Sequence, residues 1–304
     1  MQNNQSSFTS LITTFTRAYH QREDFPIIFD DPFAKRFLTD TQFEEIRHHM
    51  VKGMPFFSPD MAEELQGQTD MMMKWIHAIQ LAPTPLARAA FAERIILNEI
   101  DLGATQYVIL GAGLDSFAFR HPNVRATIFE VDHPATQQMK KQKIRQVGLV
   151  VPPHTTFIPM DFMNAFSIES FIKHGFDRRQ KTVITLLGVS YYLTKEAFQH
   201  LLHELFTTLP VGSSIIFDFA DERLLTEEGS FHRVQHMVQM AAAAGEPMTY
   251  CTSLQQLEKQ LDEEQLLLYE HLSPEDIQAQ FFAGRTDDLR AFETIHYAHA
   301  VKRP

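Results

Sequence analysis

The sequence predicts an α/β fold: a mostly parallel sheet with one late antiparallel strand, a helical N-terminal cap and a helical lid insert. Three observations support this fold class. From residue 101 onward, short apolar runs alternate with helical patterns, and strands that alternate with helices form parallel sheets. The first hundred residues are instead helical in pattern and rich in Met and Phe. Residues 221–261 return to a helical pattern before the last two apolar runs.

The apolar runs are continuous rather than alternating, which is typical of strands buried on both faces. We expect the whole chain, residues 1–304, to form one domain, with a cap over 1–100 and a core over 101–304 that contains the insert 221–261. The expected strands are residues 107–110, 126–131, 156–159, 183–187, 214–219, 266–269 and 294–301.

Helical periodicity predicts the helices of the cap and the core. In the cap, Asp31-Pro32 also predicts a helix start, because proline favours the first helical position. Gly245-Glu246-Pro247 interrupts the insert, which we interpret as a pair of lid helices. The helices expected from periodicity are residues 9–19, 71–81, 86–100, 137–146 and 195–208.

Composition excludes several classes of protein. The net charge of −11 argues against a nucleic-acid partner, because such proteins need a basic face. No apolar run approaches the roughly 18 residues of a membrane helix, so no membrane partner is expected. Cys251 is the only cysteine, which excludes an intrachain disulfide. Residues 1–21 lack the apolar segment of a signal peptide, so we expect a cytoplasmic protein.

One basic run stands out against this acidic background. Lys140, Lys141, Lys143 and Arg145 lie together in the helical segment 137–146. A phosphate site and a solvated helix face are both compatible with such a run, and we expect the solvated face.

A glycine-rich loop follows the first expected strand. Gly111, Ala112 and Gly113 stand between that strand and a helix. A nucleotide-like ligand lying against a strand end requires a tight turn without side chains, and the N–H groups of the next helix face it. The third glycine of the dinucleotide fingerprint is absent, because Ser116 occupies its position. The loop alone therefore leaves a purely structural turn open.

Acidic residues follow the next two strands. Asp132 lies 21 residues after Gly111, and an acid at about that distance can accept hydrogen bonds from both ribose hydroxyls. Asp161 follows the third strand, where a carboxylate can accept from an adenine amino group and Phe162 can stack or pack. A surface acid or a helix cap is the alternative for each. Three consecutive strand ends with suitable chemistry favour a nucleotide-like cofactor.

The run VILGAGLDSFAFR at residues 108–120 resembles the first motif of the leucine carboxyl methyltransferase family. The resemblance covers roughly residues 17–218. It implies a Rossmann-like class I methyltransferase fold and S-adenosyl-L-methionine (SAM) as cofactor. Further matching segments are IFEVDHP at 128–134, Asp161-Phe162, LGVSYYL at 187–193, RAAF at 88–91 and Asp31-Pro32.

The resemblance implies roles at the methionine end of the cofactor. Arg88 would pair with the SAM carboxylate, and Arg17 would assist. Leu187 stands where the family often has Glu, so the contact of that acid with the cofactor's amino group does not carry over. The glycine loop would line the methionine and the ribose, through Gly111, Ala112 and Gly113.

The resemblance also implies roles at the nucleoside end. Asp132, with His133 beside it, would hold the ribose. Asp161 and Phe162 would hold the adenine.

Fifteen histidines invite a metal interpretation, but no HExxH pattern or acid-completed triad occurs, so no metal is expected.

The expected reaction is methyl transfer to a carboxylate or hydroxyl oxygen of a small molecule or peptide, with a carboxylate favoured. A carboxylate is already ionised at neutral pH. A hydroxyl would require a base, for which Tyr191, Tyr192 or a histidine of the lid are the candidates. Two alternatives remain open at this point: an NAD(P)-dependent oxidoreductase, and a SAM-binding module without catalysis.

Overall fold

The computed structural model describes residues 8–161, 166–225 and 231–304. Its centre is a seven-stranded sheet. The strands are β1 (Gln106–Leu110), β2 (Thr127–Asp132), β3 (Thr155–Pro159), β4 (Thr182–Leu186), β5 (Ser214–Ala220), β6 (Leu266–Leu272) and β7 (Ile295–Lys302). Each begins within one residue of the predicted strand.

The sheet is parallel except for β7. The strands lie in the order β3-β2-β1-β4-β5-β7-β6. Strands β1 to β5 pair in parallel, and β7 pairs antiparallel with both β5 and β6. The prediction of one late antiparallel strand is confirmed. Every residue of β1, β4 and β5 is buried, which explains why their sequences are continuously apolar.

Helices cover both faces of the sheet and form the N-terminal cap. The predicted helices are present, most of them with longer bounds. The α-helices are α1 (Phe8–Glu23), α2 (Asp40–Lys52), α3 (Met54–Phe57), α4 (Pro59–Glu64), α5 (Thr69–Ile76), α6 (Pro83–Asp101), α7 (Phe117–Arg120), α8 (Pro134–Gln146), α9 (Ile168–Lys173), α10 (Lys195–Phe206), α11 (His232–Ala243), α12 (Leu254–Glu263) and α13 (Pro274–Ile277). Short 3-10 helices span Ala34–Phe37, Ser190–Tyr192 and Glu222–Leu225, and π-helical turns span His77–Leu81 and Gln278–Phe282.

The prediction that an α-helix starts at Asp31-Pro32 is wrong. The Asp31 side chain accepts hydrogen bonds from the N–H groups of Phe33 and Ala34, at 3.1 Å each. This local bonding closes a turn and is followed by a single 3-10 helix. The next α-helix, α2, begins only at Asp40, behind a capping box that Thr39 forms with Gln42.

The insert contains the predicted pair of helices, α11 and α12, while residues 226–230 lie outside the described residues. Between the two helices, residues 244–253 have no regular secondary structure.

In the described ranges, no helix combines the length and the apolar character that a membrane crossing requires.

The expected solvated face of α8 is wrong for two of its lysines. Lys140 donates to the carboxylate of Glu130 on β2, and both side chains are only 1% exposed. Lys143 is also buried and donates to the carbonyl oxygen of Phe37, at 2.7 Å, and to Oε1 of Gln42, at 2.8 Å. Long lysine stems pack on apolar surface, and here the ammonium groups meet internal acceptors instead of water.

We expect Lys140→Met to lower the free energy of unfolding by about 3–5 kcal/mol at pH 8, because removing one partner leaves a buried charge unpaired. Burial raises the pKa of Glu130 to about 7, although Lys140 opposes the rise. At pH 5, Glu130 is protonated with or without its partner, so the loss should be smaller. Urea unfolding at both pH values measures this, with exposed Arg145→Met as control. An equal loss at both pH values would contradict the assignment.

Candidate functional site

A cavity of about 390 Å³ opens at the carboxyl ends of the central strands. The strand order changes direction between β1 and β4, and ligands of open α/β sheets bind at such a point. The sheet loops form one wall of the cavity, α1 forms a second, and residues 245–249 of the insert form a third.

Most predicted site residues line this cavity. Tyr191 is not among them, and Phe162 lies outside the described residues. The predicted residues in the lining are Arg17, Arg88, Gly111, Ala112, Gly113, Asp132, His133, Asp161, Leu187 and Tyr192.

The glycine loop requires both of its glycines. Gly111 and Gly113 have φ angles of 75° and 49°, in the left-handed region that favours glycine. The N–H groups of Gly111 and Ala112 donate to the carbonyl oxygen of Val131, at 2.9 and 3.2 Å. A Cβ on Gly113 would lie 3.2 Å from the Cβ of Ser10. The loop is therefore fixed to the end of β2 and covered closely by α1.

Asp132 is held in place by the loop it faces. Its Oδ2 accepts from the N–H of Gly113, at 2.5 Å, and its Oδ1 accepts from the N–H of His133, at 2.6 Å. Burial raises the pKa of Asp132 to about 6, and the two backbone hydrogen bonds limit the rise. His133 caps α8, since its Nδ1 accepts from the N–H of Ala135. Asp132 thus presents a fixed carboxylate to the cavity that is ionised at neutral pH.

Arg88 belongs to a buried network that the sequence does not reveal. Its Nη1 donates to Oδ2 of Asp218, at 2.9 Å, and to the hydroxyl oxygen of Tyr191, at 3.0 Å. Oδ1 of Asp218 accepts from the N–H of Gly188, at 2.6 Å. Gly188 has a φ of 71°, and a Cβ there would lie 2.5 Å from Nη2 of Arg88. The only sign of this network in the sequence is Asp218 itself, an acid within the run SIIFDFA that forms the fully buried strand β5.

Tyr191 serves the network rather than the cavity. Its hydroxyl donates to Oδ2 of Asp218, at 3.3 Å. Burial and the neighbouring Asp218 carboxylate raise the pKa of Tyr191 well above its usual value. The geometry makes Tyr191 a protonated positioning residue for Arg88 and Asp218.

Arg17 joins the cap to the glycine loop. Its Nε donates to Oδ2 of Asp31, at 2.8 Å, and its Nη2 donates to the carbonyl oxygen of Leu114, at 2.9 Å. Burial alone would raise the pKa of Asp31, but Arg17 and Arg120 hold it below its usual value. The guanidinium of Arg17 reaches the cavity with part of its hydrogen-bonding capacity already engaged.

The insert supplies a further acid that sequence reasoning missed. Glu246 lines the cavity, and its Oε2 accepts from the hydroxyl of Thr9, at 2.6 Å. Tyr192 lines the same cavity. Burial, and then the charge of Glu246, raise the pKa of Tyr192 above its usual value, so its phenol is protonated at neutral pH. Gly245-Glu246-Pro247 shows in sequence only as a break between two helices.

A group with metal-ligand chemistry lies outside the cavity lining. Asp24 accepts at Oδ2 from Nδ1 of His20, at 2.6 Å, and lies 3.0 Å from Nε2 of His77. The N–H of Ile28 donates to Nε2 of His20, which fixes the ring proton on Nδ1. Burial opposes ionisation of Asp24, yet hydrogen bonds from His20 and His77 lower its pKa below its usual range. These contacts link the three side chains in a hydrogen-bond network, although Nδ1 of His77 is buried without a partner among the described residues. The expectation of no metal stays a prediction.

Comparison with known proteins decides the family. Residues 10–206 match the family model described as leucine carboxyl methyltransferase. The chain is 52% identical to YktD of Bacillus subtilis strain 168, named as an S-adenosyl-L-methionine-dependent methyltransferase, over the full length of both. A Mycobacterium marinum protein named for the same activity is 26% identical, over 78% of this chain and 72% of its own. The chain belongs to the leucine carboxyl methyltransferase family.

Membership makes the protein a SAM-dependent methyltransferase and confirms the predicted class of enzyme and its cofactor. The oxidoreductase alternative is thereby set aside. A DUF574 family protein of Streptomyces avermitilis has the same fold, with a TM-score of 0.58 at 14% identity over 99% of both chains.

The cavity fits SAM in its charge and in the hydrogen-bond acceptors that line it. Its carboxylates are Asp115, Asp132, Asp161 and Glu246. Its two arginines are each already paired with a buried aspartate. SAM carries a sulfonium and an ammonium group against one carboxylate, so an acidic cavity suits its net positive charge. Asp132 offers the acceptor that ribose hydroxyls require.

We expect Asp132→Asn to weaken S-adenosylhomocysteine binding by about 1.5–3 kcal/mol, the scale of hydrogen bonds to a charged group. In the unmodified protein, affinity should fall as the pH drops through about 6, because protonated Asp132 can no longer accept from two hydroxyls. The variant should lack this pH dependence. Calorimetry between pH 5 and 8 measures both effects, with NAD as the control ligand. A variant that retains the wild-type pH dependence would refute the role of Asp132.

We expect SAM affinity to fall in the order wild type, Arg88→Lys, Arg88→Ala. A planar guanidinium grips carboxylates bidentately, whereas an ammonium provides only a point charge. Arg88→Ala should also lower the melting temperature more than Arg88→Lys does, because it leaves the Asp218 carboxylate buried without its cation. Calorimetry and thermal melting test the two effects separately. Unchanged SAM affinity in Arg88→Ala would confine Arg88 to a structural role.

Proposed function

We propose that this enzyme transfers a methyl group from SAM to an oxygen acceptor on a small molecule or peptide, with a carboxylate preferred over a hydroxyl. One observation carries the preference: the two tyrosines considered as bases are both held protonated by burial and by acidic neighbours. A hydroxyl acceptor requires a base. A carboxylate is ionised throughout the physiological pH range and requires none.

Tyr192 is suited to donate a hydrogen bond to the acceptor oxygen. Its side chain lines the cavity, while Tyr191 beside it is turned to the buried network. The rings of the two tyrosines meet edge to face, with centroids 4.9 Å apart, which fixes the direction of Tyr192. A raised phenol pKa keeps the donor proton in place. Tyr192 therefore orients the acceptor and removes no proton from it.

Catalysis by these residues is mainly positioning. SAM, when bound, supplies a methyl group that its sulfonium makes electrophilic. The glycine loop and Asp132 would hold the nucleoside, and Arg88 would hold the carboxylate. Leu187, Val189 and Pro247 give the cavity apolar surface that excludes water. Good orientation of two reactants can contribute roughly 7–11 kcal/mol.

The proposed partners follow the charge of the chain and of the cavity. A net charge of −11 supports an acceptor other than nucleic acid. The single cysteine is consistent with the reducing cytoplasm, where we propose the reaction takes place.

We expect a base-labile methylated product. The enzyme is incubated with methyl-labelled SAM and peptides that end in a free carboxylate, beside the same peptides amidated at the C-terminus and a set of phenols. Label should enter only acceptors with a free carboxylate and should be released by mild base, since methyl esters hydrolyse and methyl ethers do not. Base-stable label on a phenol would overturn the carboxylate preference and leave oxygen methylation standing.

A further inference from the structure

Glu246 is held in the cavity from two sides. On one side, the hydroxyl of Thr9 on α1 donates to its Oε2, at 2.6 Å. On the other, the N–H groups of Thr249 and Tyr250 donate to the carbonyl oxygen of Tyr191, at 2.8 and 3.2 Å, and so pin the segment that carries Glu246. This irregular segment of the insert therefore places one carboxylate at a defined point of the cavity.

The other acids of the described cavity lining are Asp115, Asp132 and Asp161. Asp132 accepts from two backbone N–H groups at the end of β2. Oδ1 of Asp115 accepts from the N–H of Phe117, at 2.7 Å, at the start of α7. Asp161 follows β3, beyond β2 in the sheet. Asp132 and Asp161, the acids expected to bind the nucleoside, thus lie on the β2 and β3 side of the glycine loop.

The opposite side of the loop, at β4 and β5, lacks an available acid on the sheet. Leu187 follows β4 and is apolar, and both carboxylate oxygens of Asp218 are occupied by the Arg88 network. Glu246 belongs to the segment that is hydrogen-bonded to the carbonyl oxygen of Tyr191, after β4, and it lines the cavity together with Tyr192 and Arg88. An anion and a cation therefore flank this side of the cavity, which is the complement of an α-amino acid zwitterion.

We infer that Glu246 binds the α-ammonium group of SAM, opposite the carboxylate that faces Arg88. A ligand whose nucleoside lies against β2 and β3 extends its amino-acid part toward β4 and β5, where Glu246 is the available anion. The inference concerns the cofactor end of the site and holds whichever acceptor the enzyme uses. It also assigns Thr9 as the residue that positions Glu246.

The test compares two stable ligands that differ in the amino-acid part. S-adenosylhomocysteine contains that part, and 5′-methylthioadenosine lacks it. Glu246→Gln should weaken S-adenosylhomocysteine binding about tenfold, at the lower end of the effect of hydrogen bonds to charged groups, because the site is partly exposed. Binding of 5′-methylthioadenosine should be unchanged. Glu258→Gln removes an exposed acid from α12 and is the matched control, which should alter neither affinity.

Calorimetry on the full chain gives both affinities, and thermal melting confirms that each variant is folded. Thr9→Val should cause a smaller loss, again only for S-adenosylhomocysteine. The inference is overturned if Glu246→Gln binds S-adenosylhomocysteine as wild type does, or if it loses affinity equally for both ligands. Failure to find an oxygen acceptor would defeat the proposed function and leave this ligand comparison intact.

Discussion

The buried carboxylate of Asp218 connects three parts of the molecule that must meet at the site. Its side-chain oxygens accept hydrogen bonds from the guanidinium of Arg88 on α6, from the hydroxyl of Tyr191 and from the N–H of Gly188, which follows β4. The hydroxyl of Ser190 donates to its backbone carbonyl oxygen. A buried charge is tolerable only when every oxygen has a partner. The requirement to satisfy Asp218 therefore fixes Arg88 in place before any ligand arrives.

The cap is part of the site because of a second buried carboxylate. Asp31 closes its own turn through backbone N–H groups and pairs with Arg17, which in turn donates to the carbonyl oxygen of Leu114 behind the glycine loop. Ser10, about two turns earlier on α1, packs against Gly113. A helix that contacts the loop this closely shapes the cofactor cavity directly. Displacement of α1 would break the ion pair between Arg17 and Asp31.

The sequence was sufficient for most features that depend on neighbours along the chain, and the turn that Asp31 closes is the exception. Buried parallel strands leave continuous apolar runs, and the spacing from Gly111 to Asp132 follows from one strand-helix-strand unit. Contacts between distant residues leave no such pattern. Arg88 and Asp218 are 130 positions apart, and Thr9 and Glu246 are 237 apart. Lys140 looked solvated because periodicity shows which residues share a helix face, and not whether an acid on a strand lies beneath one of them.

The charges of the cavity also bear on turnover. Arg17 and Arg88 each form an ion pair with a buried aspartate, so each pair has no net charge and the excess charge of the cavity is that of the carboxylates that line it. Coulomb attraction favours a ligand with a net positive charge, and it weakens when one positive charge is removed. Methyl transfer converts the sulfonium to a neutral thioether and so removes one positive charge from the bound ligand. We therefore expect the acids that favour SAM to hold its product less strongly, which would promote exchange of product for fresh cofactor.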